Sequence, residues 1–444
     1  MSDNYDLLLK NGEVVLPDGV SKVDIGVLNG KIKAIEQTSS SSAKQIVDCK
    51  GLHVLPGVID SQVHFREPGN EHKETLESGM RSAAMGGVTA VFEMPNTNPL
   101  TVTGEAIADK LERAKKAAWT DYAFYLGGTQ HYSENLAEWE KIKGVCGIKV
   151  FMGASTGDLL SASDEELEAV LSNGRRVVAI HAEDEYIMQE NKKTILGNSN
   201  DVKLHGKWRS EESCFSATSR LLNIARKYNR RVHVLHITTA QEMDLLAKNK
   251  DIASVEVLPI HLTLHAPECY EKLGTLAQQN PPVRETHHQD ALWEAVRNGT
   301  VDIIGSDHAP HTIKEKNGTY PATPSGTPAV QTMVPIMLNH VHEGRLTLER
   351  LVELWSYGPE RIHKLSTKGR IAVGYDADFT VVDMKMKKTI TNEQQCSISQ
   401  WTPFDGMDVV GWPISTIIRG NIVMQNDELC STPVGKPIAF KETA

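Results

Sequence analysis

The alternation of apolar and polar residues divides the chain into three parts. Residues 5 to about 54 form short strand-like runs, separated by turns such as Asn11-Gly12 and Asn29-Gly30 that are typical of β-hairpins. From about 55 to 365, apolar strand-like runs alternate with amphipathic helical runs. From about 370 the chain is rich in strands again, at 372–383 and 414–424. The pattern therefore predicts a long α/β region between two β segments.

The middle part contains eight consecutive β-then-α units, which predict a (β/α)8 TIM-type barrel. Helices are predicted at 75–85, 105–117, 164–171, 239–248 and 289–297. A long irregular segment, 267–286, follows the seventh strand. The eight predicted strands end near Asp60, Met94, Gly128, Met152, Ala182, Ile237, Ile260 and Asp307.

The two β segments are predicted to pair into one small β-sandwich beside the barrel. The predicted domains are therefore a composite sandwich of residues 1–54 and 366–444, and a barrel of residues 55–365. Two unrelated β extensions are the alternative. The serine-rich stretch 38–43 is predicted to be a mobile surface loop.

Composition narrows the class of protein. The chain has 444 residues, of which 40% are hydrophobic and 23% charged, as in an ordinary globular enzyme. Its net charge of -10 argues against nucleic acid or an anionic membrane as partner. Six scattered cysteines, a polar start and no apolar run of about 20 residues favour a cytoplasmic protein with reduced thiols.

Candidate chemistry lies at the predicted strand ends, because catalytic groups of such barrels lie at the carboxyl-terminal face. One histidine there would be ordinary, but strands 1, 4, 5, 6 and 8 each contribute a credible ligand to one rim. Nitrogen and oxygen ligands without cysteine suit Zn²⁺, or alternatively Mn²⁺ or Co²⁺. In strand order the candidates are Asp60, Gln62, His64 and Arg66; Asn96; Lys149; His181; His236; Glu256 and His261; Asp307, His308 and His311.

Lys149 needs a separate explanation, because an ammonium group has no lone pair for a metal. A carbamate formed with CO2 would invert its charge and supply two anionic oxygens. We therefore expect N6-carboxylated Lys149 as a bridging ligand.

The strand-end motifs together resemble the amidohydrolase superfamily and, within it, the dihydroorotases, over nearly the whole chain. The opening motif of the family, Asp-x-His-x-His-x-Arg-x-Pro-Gly, is matched here by residues 60–69. Further matches are at 94–99, 147–153, 181–184 and 306–311. The resemblance implies a binuclear site with His64 on one metal, His181 and His236 on the other, Lys149 bridging them, and Asp307 as ligand and general base.

The resemblance also implies the substrate, because dihydroorotate carries a ring carboxylate that hydantoin and allantoin lack. Arg66 and Asn96 stand where the family places carboxylate-binding groups, with His311 as a third contact and Asn280 and Arg284 flanking. The expected reaction is reversible hydrolysis of dihydroorotate to N-carbamoyl-L-aspartate in pyrimidine biosynthesis, by an activated hydroxide with Asp307 as base. The family also suggests a homodimer.

Two positions depart from the family pattern. Gln62 replaces the first histidine of the His-x-His pair, and Ile260 replaces the first histidine of a Pro-His-His-Leu motif, leaving His261. A glutamine oxygen is a weaker ligand than imidazole, so Gln62 is at most a weak ligand and one or two ions are expected. Another cyclic-amide hydrolase, of the dihydropyrimidinase, hydantoinase or allantoinase kind, is one alternative. A catalytically silent scaffold is the other.

Overall fold

The computed structural model describes residues 4–36, 42–155 and 159–441. Most of the predicted mobile loop, residues 38–41, lies outside these ranges, while Ser42 and Ala43 begin a strand.

The first β segment forms two groups of strands. A four-stranded sheet has the order β5-β4-β1-β6, in which β1 pairs antiparallel with β4 and parallel with β6. Asn29-Gly30 turns the chain between β4 and β5, and both residues have positive φ (53° and 74°), as such a hairpin turn requires. The strands are β1 (Asn4–Lys10), β2 (Glu13–Leu16), β3 (Gly19–Lys22), β4 (Asp24–Leu28), β5 (Lys31–Glu36), β6 (Ser42–Asp48) and β7 (His53–Pro56).

Eight parallel strands follow in sequential order and form the barrel. Their residues are almost all buried, as expected for strands covered by helices on one side and by the barrel interior on the other. The His64 amide donates to the His308 carbonyl (2.7 Å), which closes the barrel between its first and last strands. The strands are β8 (Val58–Val63), β9 (Val88–Glu93), β10 (Asp121–Gly127), β11 (Val145–Phe151), β12 (Val178–His181), β13 (Val232–Val234), β14 (Ala253–Val257) and β15 (Ile303–Ile304).

The predicted helices are present, with ends shifted by up to three residues. Side-chain caps fix several of them; Thr75, for example, accepts from the Ser78 amide at the start of the first. The helices are α1 (Leu76–Met85), α2 (Gly104–Ala117), α3 (Leu136–Trp139), α4 (Asp164–Leu171), α5 (Glu185–Asn191), α6 (His205–Trp208), α7 (Glu211–Lys227), α8 (Ala240–Ala247), α9 (Pro259–Thr263), α10 (Glu268–Leu273), α11 (Thr286–Asn298), α12 (Ile313–Lys316), α13 (Met333–His342), α14 (Leu348–Val352) and α15 (Gly358–His363).

Shorter turns connect these helices. They comprise 3-10 turns at Gln130–Asn135, Val202–Leu204, Gly274–Ala277 and Asn392–Gln394, and π turns at Lys192–Leu196 and Glu353–Tyr357. Within the described ranges, none of the helices combines the length and the apolar character needed to cross a bilayer.

The last strands join the two ends of the chain. They are β16 (Phe379–Thr389), β17 (Asp408–Ile418), β18 (Asn421–Gln425) and β19 (Glu428–Leu429). The sheet order is β19-β18-β17-β16-β7-β2-β3, with β16 pairing directly with β7. One apolar core contains side chains from both ends, including Leu7, Val27, Phe379 and Ile417. The predicted barrel with a composite β-sandwich is confirmed, and two unrelated extensions are excluded; the exact domain boundaries stay a prediction.

The predicted and observed strand ends differ by up to three residues, and at the seventh strand this difference changes the type of element. The seventh barrel strand ends at Val257 rather than near Ile260, and His261 lies on the short helix α9. Pro259 occupies the first turn of that helix, where its fixed φ favours a helical start. The apolar run through Leu258 and Ile260 therefore belongs to two elements, which its hydrophobicity alone did not reveal.

Candidate active site

A small cavity of about 20 Å3 opens at the carboxyl-terminal ends of the barrel strands. Most of its walls come from strand ends, and loops around Asn280 and Ser325 complete it. The lining residues are Gln62, His64, Arg66, Asn96, Phe151, Ser155, His181, His236, Gln279, Asn280, Asp307, Ala309, Ser325 and Gly326.

Three of the polar residues in this wall have unusual backbone conformations. Arg66, His236 and Asp307 have φ values of 63°, 39° and 46°, in the left-handed region that L residues seldom adopt. Each such conformation costs on the order of 1–3 kcal/mol and persists only where the surroundings enforce it. Strain concentrated at three strand ends around one cavity is typical of a functional site.

The histidine side of the site consists of His181 and His236, which line the cavity, and of Lys149, which is not part of the cavity wall. The His181 Nδ1 and the His236 Nε2 lie 3.1 Å apart. The His181 Nε2 donates to Glu183 (2.8 Å), and Glu183 also accepts from the guanidinium of Arg209. This contact leaves the lone pair of His181 on Nδ1, facing His236, as carboxylates that accept from the other ring nitrogen do for metal-binding histidines.

Both histidines are suited to bind a cation. Burial lowers the pKa of His181 and of His236, so both rings are neutral at pH 7. Two ligand nitrogens on one tetrahedral Zn²⁺, each about 2.0–2.1 Å from it, are about 3.3 Å apart, close to the observed separation. The His236 Nδ1 is buried and has no hydrogen-bond partner among the described residues.

Lys149, on β11, completes the histidine side. Its side chain is fully buried, and its Nζ has no hydrogen-bond partner among the described residues. The Nζ lies 4.2 Å from the centre of the Phe151 ring. Burial lowers the pKa of Lys149 to about 7, so a large share of the amine is unprotonated at neutral pH. An unprotonated amine is the form that reacts with CO2, so the donor set on this side fits one divalent cation with a carboxylated lysine.

The aspartate side is built differently, from Asp307, His64, Gln62 and Gln279. The Asp307 Oδ1 accepts from the Gln62 Nε2 (3.0 Å) and lies 3.1 Å from the His64 Nε2. The Asp307 Oδ2 accepts from the Gln279 Nε2 (2.5 Å). Two amides and an imidazole of this chain therefore surround the carboxylate that the family resemblance assigns to a metal.

The two sides do not form one compact group of ligand atoms. Among the described residues, the groups of three or more His, Cys, Asp or Glu ligand atoms within 4.8 Å of one another lie elsewhere. One of these, Asp121, Asp376 and Asp378, is neutralised by the ammonium of Lys368. At the predicted site, His181 and His236 form one pair of neighbouring ligands, and His64 and Asp307 form a separate pair.

Of the three residues predicted to bind the substrate carboxylate, two line the cavity and one does not. Arg66 lines the cavity, is 4% exposed, and donates from Nε to the Pro310 carbonyl (3.1 Å). The His311 Nε2 lies 3.2 Å from the Nη2 of Arg66. His311 is not part of the cavity wall, so it contacts Arg66 and not the cavity. Asn96 lines the cavity and its Oδ1 is 2.7 Å from the His64 Nδ1. The neighbouring Glu67 pairs with Arg113 instead of Arg66.

Other predicted residues have different positions. Asn280 lines the cavity and accepts from the His205 ring (3.0 Å). Arg284 lies behind the wall, donating to Thr238 (3.1 Å), and His261 lies 3.1 Å from the Pro281 carbonyl. His308 accepts from the Ala329 amide and is a structural residue.

Several residues of the site were missed by sequence reasoning. Gln279 directly precedes Asn280, but no motif marked it as a partner of Asp307. Glu183 stands two residues after His181, a spacing that places both on the same side of an extended chain, so it could have been found. Arg209 lies 26 positions further on and only the fold brings it to Glu183.

Comparison with known proteins shows the family of the chain. The family model described as "Amidohydrolase family" matches residues 53–423. The chain is 35% identical over 432 residues to a dihydroorotase of Methanosphaera stadtmanae, covering 96% of this chain and 97% of that protein. It is 32% identical over 444 residues to an allantoinase of Desulfitobacterium hafniense, covering 98% of both.

Among solved structures, the L-hydantoinase (dihydropyrimidinase) from Arthrobacter aurescens superposes with a TM-score of 0.94 at 30% identity. The match covers 98% of this chain and 99% of that structure. The family model spans the whole barrel, and the two relatives align with 96% and 98% of this chain. The chain therefore belongs to the amidohydrolase family.

Proposed function

We propose that this protein hydrolyses the cyclic amide of dihydroorotate, and closes N-carbamoyl-L-aspartate by the reverse reaction, in pyrimidine biosynthesis. The observation that carries the proposal is the buried guanidinium of Arg66 in the cavity wall. The relatives are named for dihydroorotate, allantoin and hydantoin, and of these substrates only dihydroorotate bears a carboxylate.

The buried guanidinium of Arg66 has no carboxylate in contact with it among the described residues. Within the described ranges no carboxylate lies within 4.0 Å of its guanidinium, whose contacts are the Pro310 carbonyl and the His311 ring. Burial lowers the pKa of Arg66 to about 10, so the group is still charged at pH 7. A buried cation without a counter-ion is costly, and a planar carboxylate matches the guanidinium in charge and in shape.

We further propose that the histidine side holds one divalent cation, through His181, His236 and carboxylated Lys149. Zn²⁺ suits these ligands best, with Mn²⁺ or Co²⁺ as alternatives. When bound, such an ion supplies Lewis acidity and lowers the pKa of water towards 7. The aspartate side takes no strong second cation in this proposal, because the amides of Gln62 and Gln279 already satisfy Asp307.

Asp307 carries the proton in the reaction. It is the one carboxylate among the described residues that line the cavity. As water adds to the ring carbonyl carbon, Asp307 takes the proton of the attacking water. When the carbon–nitrogen bond breaks, Asp307 delivers that proton to the ring nitrogen. The amides of Gln62 and Gln279 hold both carboxylate oxygens in place between these two steps, while Arg66 fixes the substrate carboxylate.

The proposal is tested by assaying the purified protein, with its metal content measured, on dihydroorotate, N-carbamoyl-L-aspartate, hydantoin and allantoin. We expect turnover of the first two. In Arg66→Met we expect the KM for dihydroorotate to rise roughly 10- to 100-fold, because a charged hydrogen-bonding partner of the carboxylate is lost. Arg113→Met, which removes an exposed arginine, is the matched control and leaves the KM unchanged.

Other outcomes point to the alternatives. The high structural similarity to the L-hydantoinase favours a second candidate, hydrolysis of a neutral cyclic amide, and faster turnover of hydantoin or allantoin than of dihydroorotate would establish it. The amide contacts on Asp307 favour a silent scaffold, for which neither bound metal nor turnover is expected. A homodimer, expected from the family resemblance, is tested by sedimentation.

A further inference from the structure

A second, larger cavity lies at the opposite end of the barrel. Its volume is about 680 Å3, and its walls include Cys146, Val177, Val232, Ala253 and Asp302. These residues stand at or just before the first residues of β11 to β15. The cavity is therefore at the amino-terminal end of the strands, remote from the candidate active site.

The walls of this cavity are strongly basic, although the chain as a whole carries a net charge of -10. Asp302 is the one acidic residue among the described residues that line it. The basic lining residues are Arg175, Arg176, Arg230, Arg231, Lys250, Arg361 and Lys364. Such a concentration of one sign in a concave surface attracts anions that the rest of the protein repels.

The protein neutralises only part of this charge. Asp302 pairs with Lys250 and with Arg361 (3.2 Å), so one carboxylate serves two cations. Arg361 also lies 3.9 Å from Glu353. Arg230 lies 3.7 Å from the buried Glu140.

Four of the basic lining residues, with Arg176 among them, have no such partner within the described ranges, and three of the four are exposed. In the part of the chain that the structure describes, no carboxylate lies within 4.0 Å of Arg175, Arg231 or Lys364. All three are exposed at the mouth of the cavity. The uncompensated charge is thus available to a ligand.

Arg230 lines the cavity, and hydrogen bonds hold its side chain in place. Its side chain is 7% exposed, and it donates to the carbonyls of Gly174 and Arg176 (2.8 Å for the second). Its Nε is buried and has no hydrogen-bond partner among the described residues. A buried N–H without an acceptor is costly, so this chain does not use the full hydrogen-bonding capacity of Arg230.

Arg176 is fixed in a similar way. Its Nε donates to the Glu140 carbonyl (2.5 Å), and its guanidinium lies 5.0 Å from the centre of the Phe440 ring. Two guanidinium groups are therefore held in place before any ligand arrives, which reduces the entropy lost on binding.

We propose that this cavity binds a multiply phosphorylated small molecule, specifically a nucleoside triphosphate. Guanidinium groups in a fixed arrangement match phosphate oxygens in charge and geometry. The remaining walls include the partly exposed Tyr228 and Ile362, aromatic and apolar surface on which a base can rest. The volume accommodates a ligand of this size.

The proposal is tested by isothermal titration of the full-length, metal-loaded protein with ATP, UTP and tripolyphosphate at about 0.15 M salt. We expect saturable binding of one nucleotide per chain, tighter than that of tripolyphosphate. In Arg175→Ser/Arg231→Ser we expect roughly 100-fold weaker binding, about tenfold for each charged donor. Both side chains are exposed and lack carboxylate partners, so the fold is expected to persist, which the melting temperature checks.

Two controls locate the site. Lys115→Ser/Lys116→Ser removes the same charge from the exposed face of α2 and leaves binding unchanged. Arg66→Met leaves it unchanged as well, because Arg66 lines the other cavity. Hydrogen exchange of residues 172–177 and 228–231 slows with ATP in the wild type.

Four results would overturn the proposal. They are the absence of saturable nucleotide binding, an equal loss of affinity in the Lys115/Lys116 control, loss of binding in Arg66→Met, and equal affinity for tripolyphosphate and nucleotide. Binding of an acidic peptide such as polyglutamate, with none of ATP or UTP, would identify the cavity as a docking site for an acidic protein segment instead.

Discussion

The histidine side and the aspartate side of the cavity differ in how the hydrogen-bonding atoms of their side chains are satisfied. On the histidine side, Glu183 orients His181, while the Lys149 Nζ and the His236 Nδ1 have no hydrogen-bond partner among the described residues. On the aspartate side, both oxygens of Asp307 accept hydrogen bonds from glutamine amides, and the unpartnered atoms among the described residues are the Oε1 atoms of Gln62 and Gln279.

This difference shows that having ligand-type residues at the correct strand ends does not by itself make a metal site. A cation binds where lone pairs converge and lack other partners, and it competes poorly where amide N–H groups already occupy them. We therefore expect the two sides to respond differently to substitution.

The largest effect is expected for the histidine ligands. His236→Ala removes one of two nitrogens that face each other, so we expect loss of the bound ion and at least about a 10³-fold fall in kcat/KM. His64→Ala, on the aspartate side, is expected to retain the ion. Elemental analysis of both variants measures this, and metal lost from His64→Ala but kept in His236→Ala would reverse the comparison.

A smaller effect is expected for the carboxylate behind His181. Glu183→Gln weakens the contact that fixes the His181 ring, so metal affinity is expected to fall about 10- to 100-fold, as measured by chelator competition. Asp184→Asn is the control, because Asp184 caps α5 and pairs with Arg220 instead of contacting the site. Equal affinity in wild type and Glu183→Gln would exclude this role of Glu183.

The smallest effect is expected on the aspartate side. Gln62→His replaces an amide that donates to Asp307 with an imidazole that can bind a cation. We expect native mass spectrometry to show a rise from one ion per chain towards two, with the second lost first on dialysis. Two tightly held ions in the wild type would contradict the proposed difference between the sides.

Much of the architecture could be predicted from the chain alone. Alternating strand and helix patterns predicted the barrel, and hairpin turns such as Asn29-Gly30 predicted the flanking β-structure. The seventh strand end was misplaced, because an apolar run that crosses Pro259 has the same hydrophobicity in a strand and in a short helix. Predicted and observed helix ends differed by up to three residues, because capping hydrogen bonds and packing, and not hydrophobicity alone, fix where a helix ends.

The residues of the site were also largely predictable, although their partners were not. Strand-end positions marked His64, Arg66, His181, His236 and Asp307, because parallel strands of a barrel direct their ends to one face. The sequence offered no sign that Arg209 reaches Glu183, since those contacts join distant positions.

The sequence by itself determined the family, the barrel and the types of side chain at its rim, because periodicity and motif spacing are local properties of the chain. Only the tertiary structure decided which polar atoms find a partner. It placed Gln279 against Asp307, left the Lys149 amine buried without a hydrogen-bond partner among the described residues, and gathered basic residues from several loops at the far end of the barrel. Hydrogen bonding and burial depend on contacts between residues far apart in sequence, and these exist only once the chain is folded.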